Sequence, residues 1–200
     1  MAEDSLLVAG PGLVREKLAL TGIAAGEAGR PRVEVQLAQA DGSWATIARA
    51  RAGRDGSFRT SWRPGTAGRF SLRAVTEGAP ASSVATTTVS VMRRTVATWY
   101  DQTGSTTACG VDLKKNTLGV AHRSLPCGTE LEFSFRGRSV LAPVIDRGPF
   151  VMGVFYDLTI AAARRIGFVS TGRGPVGVLP AATPLSAPAP APGVAAGRGR

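Results

Sequence analysis

The sequence is poor in the residues that bind metal ions. Its 200 residues include one histidine, His122, and two cysteines, Cys109 and Cys127. Structural zinc needs four cysteine or histidine ligands, so zinc is the weakest interpretation of these three residues. Aromatic residues form 6% of the chain, and it has no RNP-like aromatic pattern, helix-turn-helix pattern or zinc-finger spacing. We therefore expect no metal, no cofactor and no nucleic-acid partner.

Long apolar runs are absent as well. No stretch of about 18 apolar residues occurs, so no transmembrane segment is predicted. The first residues, MAEDSLLVAGPG, lack the basic and apolar regions of a signal peptide. The net charge is +10, with the positive residues spread along the chain. A basic surface favours anionic partners, although a solvated arginine-rich surface is the simpler interpretation.

Glycine and short apolar stretches are abundant, which favours strands and turns over long helices. The chain has 25 glycines, and 44% of its residues are apolar. Within residues 14–93, Val33, Val35 and Leu37 alternate with polar residues, as in a strand with one buried face. Asp-Gly turns in ADGSW and GRDGSF separate further short strands. We predict a β-sandwich over this range, and the unit resembles an immunoglobulin-like accessory domain.

Residues 94–179 are predicted to form a second unit, which is also mostly β. The segments ELEFSF and SVLAPVID are typical of strands, and LTIAAARRIGF is typical of one short helix. Asp157 or Thr159 can cap the N-terminus of this helix, and capping is the favoured structural role of Asp157. Gly167 can end the helix.

The two ends of the chain are expected to lie outside these units. Residues 1–13 are predicted to be a flexible segment. Residues 180–200 are rich in proline and alanine without apolar periodicity, so a disordered tail is predicted there. The predicted fold class is mainly β, a sandwich followed by a second β unit with one short helix.

The two cysteines favour a disulfide bridge. Each is followed by glycine in a turn-like context, Ala-Cys-Gly and Pro-Cys-Gly, which suits a bridge between two loops. A bridge closing a loop of this size contributes about 3 kcal/mol and implies an oxidising compartment. A nucleophilic cysteine with His122 as its base is the alternative.

Five segments together resemble the double-psi β-barrel domain of the rare lipoprotein A family, over about residues 95–179. These segments are ATWYD, TACG, LGVAHRSLPCGT, GRSVLAPVIDRGPF and YDLTIAAARRIG. The family contains bacterial septal and cell-wall lytic transglycosylases, and the likeness to expansins and barwin-like proteins is more distant. The resemblance implies a six-stranded double-psi β-barrel. It also implies a monomeric protein that is secreted or associated with the cell wall and acts on peptidoglycan strands.

The resemblance also implies a set of site residues. Asp146 in the DRGP motif matches the family's catalytic aspartate, and His122 in the AH motif matches a histidine near it. Asp157 in YDLT resembles the expansin aspartate that precedes Leu-Ser. Tyr100 is expected to stack on sugar faces, and Asp112, Arg147 and Asp157 are expected to contact the substrate.

One position departs from the family pattern. Lytic members usually carry glutamate directly after T-A-x-G, where this chain has Val111, followed by Asp112. A shift of one residue turns a strand side chain to the other face, so Asp112 can replace the glutamate only in a loop. The departure keeps a second hypothesis open, a non-catalytic expansin-like module that binds wall polysaccharide. A third is a structural or inhibitory protein that uses the barrel only as a scaffold.

A lytic transglycosylase cleaves the bond between N-acetylmuramic acid and N-acetylglucosamine without water, because the C6 hydroxyl of the sugar attacks its own anomeric carbon. One carboxylate can serve as acid and then as base, and Asp146 is predicted to do so. The structural alternative for Asp146 is a turn residue of D-R-G-P. For His122 the alternative is a hydrogen-bonded imidazole that ties the disulfide loop to the barrel.

Overall fold

The structure is a computed structural model, and it describes residues 4–8, 10–25, 29–77 and 85–181. Within these ranges the chain is mainly β, as predicted. The elements are β1 (Ser5–Val8), β2 (Gly12–Leu13), β3 (Leu18–Ile23), β4 (Arg32–Ala38), β5 (Trp44–Arg51), β6 (Ser57–Trp62), β7 (Gly68–Thr76), β8 (Thr86–Tyr100), β9 (Val120–Ala121), β10 (Glu130–Phe135), β11 (Arg138–Asp146), β12 (Tyr156–Thr159), α1 (Ile160–Ile166), a 3-10 turn (Val169–Thr171) and β13 (Gly174–Pro180).

The N-terminal unit consists of two sheets that share one core. One sheet has the antiparallel order β1-β3-β6, and the other has the order β8-β7-β4-β5. The alternation predicted for β4 is present, because Val33, Val35 and Leu37 are buried there. They pack with Leu20 and Phe58 of the first sheet in one cluster, so the two sheets bury their apolar faces against each other.

The beginning of the chain differs from the prediction of a flexible segment over residues 1–13. Strand β1 pairs with β3, and β2 pairs in parallel with β8. Asp4 is only 4% exposed, and its carboxylate accepts hydrogen bonds from the backbone N–H of Ala25 and from the N–H and hydroxyl of Thr76. A carboxylate buried with such donors is satisfied in the interior, so Asp4 fixes β1 to the end of β7.

The C-terminal unit is a sheet of mixed direction with the order β12-β9-β11-β10-β13-β8, in which β12 also pairs in parallel with β8. Its core contains Phe133, Leu158 and Phe168, together with the buried face of α1. Thr159 caps α1 by accepting from the N–H of Ala162, and Gly167 ends the helix with φ 73°. The helix is therefore where the sequence predicted it, but Asp157 is not its cap.

The two units share strand β8. Its first half pairs with β7 and its second half with β13 and β12, so the strand crosses the predicted boundary at residues 93 and 94 without a break. Arg69 of β7 and Glu132 of β10 form an ion pair of 3.0 Å beside this strand, and Ser90 also donates to Glu132. The disordered tail was predicted to begin at residue 180, but Pro180 is still part of β13. Residues from 182 onward lie outside the described ranges.

Candidate active site

Strand register places two carboxylates on either side of β9. Asp146, the last residue of β11, is paired with Ala121, and Ala121 is paired with Asp157 of β12. Asp157 is in turn paired with Thr98 of β8. Paired residues project to the same face of a sheet, so these four side chains form one row. Two strand spacings separate the Cα atoms of the two aspartates, a distance of roughly 10 Å.

A β-bulge gives Asp146 its direction. Val144 is paired with Val120 and Asp146 with Ala121, so β11 advances two residues where β9 advances one. Without the bulge, Asp146 would share the face of Val144, which is fully buried in the core. With it, Asp146 turns to the opposite face, toward Asp157. Bulges commonly re-aim a side chain in this way beside functional sites.

Two backbone donors orient the Asp146 carboxylate. Its Oδ1 accepts from the N–H of Ala108 at 2.9 Å and from the N–H of Arg147 at 2.8 Å. Ala108 comes from a loop 38 positions earlier in the chain, immediately before Cys109. The orientation of Asp146 therefore depends on the position of that loop.

Asp157 is in a different environment from Asp146. It is half-buried, and its Oδ1 accepts from the hydroxyl of Thr98 at 2.6 Å. Burial raises the pKa of Asp157 above its usual range, the negative charge of Asp146 raises it further, and the Thr98 hydrogen bond opposes both. A carboxyl group with a raised pKa holds a proton more readily, which suits a general acid.

Tyr100 lies on the same face of β8 as Thr98, and both carboxylates are near enough for their charges to act on its hydroxyl. The hydroxyl is buried and has no hydrogen-bond partner of normal geometry within the described ranges. Burial raises the pKa of Tyr100, and the charges of Asp146 and Asp157 add to the effect, with a close approach to Asp146 contributing last. A buried hydroxyl without a partner is uncommon in folded proteins. The sugar-stacking role of the Tyr100 ring stays a prediction.

The disulfide predicted between Cys109 and Cys127 is present. The S–S distance is 2.01 Å and the two Cα atoms are 5.9 Å apart. Both bridged segments bond to β11 just before Asp146: the N–H of Cys109 donates to Ile145, and the N–H of Gly128 donates to Val144. The bridge thus fixes the loop that orients Asp146, and it removes the alternative of a free thiolate.

His122 follows Ala121 and points away from the carboxylate row. Its Nδ1 accepts from the N–H groups of Ser124 at 3.2 Å and Leu125 at 2.9 Å, and its ring centroid is 5.0 Å from that of Tyr156. Burial lowers the pKa of His122, and the charges of two neighbouring arginines lower it further. Because Nδ1 accepts hydrogen bonds, it carries no proton, and the ring proton is assigned to Nε2. Within the described residues the ring forms no hydrogen bond to either aspartate, although the backbone N–H of His122 donates to the backbone carbonyl oxygen of Asp146 at 3.1 Å.

Arg147 is turned toward the disulfide loop. Its guanidinium donates to the carbonyl oxygens of His122 and Leu125 and to Sγ of Cys127. In the described part of the chain it forms no ion pair with a carboxylate. Its side chain therefore positions the loop, and only its backbone N–H contacts Asp146.

The segment that departs from the family pattern forms a small hairpin. Thr106 is bridged to Asp112, whose carboxylate accepts from the Thr106 hydroxyl at 2.7 Å. Val111 is half-buried, and its N–H donates to the hydroxyl of Thr107. Asp112 is exposed, and within the described ranges no hydrogen bond joins it to Asp146, so the structure does not bring it into the carboxylate row.

The sequence analysis did not predict that Thr98 donates a hydrogen bond to Asp157, or that Asp157 lies near Tyr100. The alternation in ATWY places Thr98 and Tyr100 on one face and Trp99 on the other, where its indole N–H donates to the carbonyl of Val169. That alternation could have predicted that Thr98 and Tyr100 lie on the same face of the strand.

In the described ranges, no group of three or more His, Cys, Asp or Glu residues could hold a metal ion. None of the helices in these ranges has the length and hydropathy of a membrane span.

Comparison with known proteins defines the class of the C-terminal unit. A family model described as lytic transglycolase matches residues 92–178. Together with the relatives described next, this match shows that the segment is an RlpA-like double-psi β-barrel segment, as the motifs predicted.

The relatives carry a common description. The chain is 41% identical over 83 residues to the probable endolytic peptidoglycan transglycosylase RlpA of Aquifex aeolicus, covering 40% of this chain and 37% of that protein. It is 40% identical over 96 residues to the Synechocystis protein of the same description, covering 46% and 30%. The Campylobacter jejuni endolytic peptidoglycan transglycosylase RlpA is 36% identical over 85 residues, covering 40% and 31%. The match spans about a third of the length of these relatives.

Solved structures add little to this identification. The Streptomyces papain inhibitor is 24% identical and covers 42% of this chain and 90% of its own, with a TM-score of 0.35. A likeness at this TM-score supports no conclusion about function.

Proposed function

We propose that residues 94–179 form a lytic transglycosylase domain that cleaves the bond between N-acetylmuramic acid and N-acetylglucosamine in peptidoglycan. The observation that carries the proposal is the pair of aspartates flanking β9, Asp146 and Asp157, in unequal environments. Burial raises the pKa of Asp157, and a carboxyl group of raised pKa near a second carboxylate is a common basis of an acid and a base in one site.

The two aspartates divide the proton transfers. Asp157, with its raised pKa, gives its proton to the leaving oxygen of N-acetylglucosamine. The C6 hydroxyl of N-acetylmuramic acid forms the new bond to C1, and Asp146 takes the proton of that hydroxyl. The product is a 1,6-anhydro sugar, and no water is consumed. Exchange with solvent returns a proton to Asp157 and removes one from Asp146 before the next turnover.

The remaining predicted site residues have supporting roles in this proposal. His122 is a positioning residue, because its Nδ1 holds the backbone of Ser124 and Leu125 in the disulfide loop. Arg147 holds the same loop and supplies one N–H to Asp146. Asp112, exposed on its hairpin, remains a candidate for contact with substrate at the rim.

The location and the accessory unit follow from the same observations. A disulfide is stable in oxidising compartments, and the relatives are described as peptidoglycan enzymes, which together support an extracellular or periplasmic protein. The two packed sheets of residues 14–93 support an immunoglobulin-like accessory domain, for which β1 supplies an additional strand. A monomeric state remains a prediction.

Digestion of purified peptidoglycan sacculi tests the proposal. We expect wild type to release 1,6-anhydromuropeptides that mass analysis detects, and Asp146→Asn and Asp157→Asn each to lower the rate at least about a hundredfold, the lower range for loss of a general acid or base. Asp41→Asn, in an exposed turn of the N-terminal unit, is the matched control.

Each other outcome has a distinct meaning. If Asp157→Asn keeps full activity while Asp146→Asn loses it, Asp146 acts alone as acid and base. If wild type sediments with sacculi but releases no anhydro product, the protein is the expansin-like binding module that Val111 allows, and the proposed activity is wrong.

A further inference from the structure

The loop that joins the two aspartates exposes an apolar tip. Residues 148–155, here called the 148–155 loop, leave β11 after Asp146 and Arg147 and return to β12 just before Asp157. Its exposed apolar side chains are Phe150 at 82%, Val151 at 57%, Met152 at 90% and Phe155 at 54%. They are four of the seven large apolar residues that are exposed in the described ranges. Apolar exposure concentrated in one place marks an interaction surface.

The backbone of this loop is fixed from below. Arg123 donates to the carbonyl oxygens of Pro149, Val151 and Val154, at 2.6, 2.9 and 3.0 Å. Arg173 donates to the carbonyl of Met152 at 3.1 Å. The loop therefore holds its apolar side chains in place, and four of its carbonyl groups are satisfied without water.

Positive charge lies at the base of the loop. In the part of the chain that the structure describes, Arg123, Arg147 and Arg173 have no carboxylate within 4.0 Å. Their charges are therefore compensated only by carbonyl dipoles and solvent. They add to a chain whose net charge is +10. An apolar tip above uncompensated arginines is complementary to a surface that is anionic outside and apolar inside.

We propose that the 148–155 loop docks on a membrane surface containing anionic phospholipid. Phe150 and Met152 enter the boundary between headgroups and acyl chains, and the three arginines lie at the level of the phosphates. Backbone that enters this region must have its polar groups satisfied internally, as the four arginine-bound carbonyls are. A glycan needs hydrogen-bonding groups from its site, and these carbonyls are already used. Docking places the Asp146 and Asp157 row close to the membrane.

Cosedimentation of the full chain with lipid vesicles tests the inference. The probes are vesicles of phosphatidylcholine with 30 mol% phosphatidylglycerol (roughly the anionic content that gives a substantial surface potential) and vesicles of phosphatidylcholine alone. We expect binding to the anionic vesicles, weaker binding to the neutral ones, and at least about a tenfold loss of partitioning in Phe150→Ser/Met152→Ser. Leu7→Ser/Ile23→Ser removes exposed apolar surface from the N-terminal unit and should bind like wild type.

Three results overturn the inference. The first is absence of wild-type binding to anionic vesicles. The second is equal binding by Phe150→Ser/Met152→Ser, which would assign binding to general basic charge. The third is loss of sedimentation with sacculi in that variant while neither protein binds vesicles, which would make the loop a glycan surface. Both replaced side chains are exposed, so an unchanged thermal midpoint confirms folding. Vesicle binding requires no catalysis, so its failure is separate from failure of the proposed function.

Discussion

Removal of the disulfide should affect both stability and activity. Cys109 and Cys127 are 18 positions apart, and closing a loop of that size in the unfolded chain is worth about 3 kcal/mol. For a chain of this length, each kcal/mol shifts the thermal midpoint by roughly 2–4 °C. We therefore expect Cys109→Ser/Cys127→Ser, and wild type under reducing conditions, to unfold roughly 6–12 °C lower than oxidised wild type.

The activity loss should exceed what partial unfolding explains. The bridged loop supplies the Ala108 N–H that orients Asp146, so its release removes one of the two backbone donors to that carboxylate. At a temperature where both forms are fully folded by circular dichroism, we expect kcat on sacculi to fall about tenfold or more, the cost of losing one hydrogen bond to a charged group. KM should change little.

The double variant is its own control for the reductant. It contains no cysteine, so its thermal midpoint should not change when reductant is added. If reduction of wild type leaves the thermal midpoint within about 1 °C, the stabilisation reasoned here is wrong, since it predicts several times that shift. If the midpoint falls but kcat of the folded protein stays the same, the bridge supports the fold without orienting Asp146.

Three further substitutions test single contacts. Thr98→Val removes the donor that lowers the pKa of Asp157, so the pKa should rise, and the activity that depends on protonated Asp157 should persist to higher pH in a pH–rate profile. Asp4→Ala leaves three donors without a partner, two of them buried, and should lower the free energy of unfolding in urea by about 2–4 kcal/mol. Gly119→Ala would place its Cβ in steric conflict with Cδ1 of Ile145, and should lower the free energy of unfolding by about 1–3 kcal/mol in the same assay and reduce activity.

Each of these has a matched control. Thr103→Val, in an exposed turn, should leave the pH profile unchanged. Asp41→Ala removes a carboxylate that accepts hydrogen bonds in an exposed turn. It should lower the free energy of unfolding much less than Asp4→Ala does. Gly65→Ala meets no atom within 4 Å and should be nearly neutral. If a variant behaves like its control, the effect assigned to the corresponding contact is wrong.

Local patterns in the sequence were sufficient to predict several features. The period of two in β4 predicted its buried residues because each strand side chain alternates regardless of distant contacts. The disulfide and the short helix also followed from local chemistry, and the motifs around Asp146 indicated the barrel segment that the comparisons show.

Features that depend on contacts distant in sequence were not predictable. The hydrogen-bond partner of Asp157 is Thr98, 59 positions earlier, and the helix is capped by Thr159 instead of Asp157. The bulge that turns Asp146 arises from pairing of β11 with β9, which no local pattern of SVLAPVID reveals. The pairing of β1 likewise depends on β3 and on the Asp4 hydrogen bonds to Thr76.

The central claim is that Asp146 and Asp157 form one site in which Asp157 holds the proton. Carbon-13 NMR titration of the aspartate carboxyl groups, in wild type and in Asp146→Asn, tests it most directly. The account predicts that Asp157 titrates above the ordinary aspartate value of 3.8 and that Asp146→Asn lowers this pKa, because a negative charge beside it is removed. An Asp157 that titrates at or below the ordinary value, or that does not respond to Asp146→Asn, would contradict the claim.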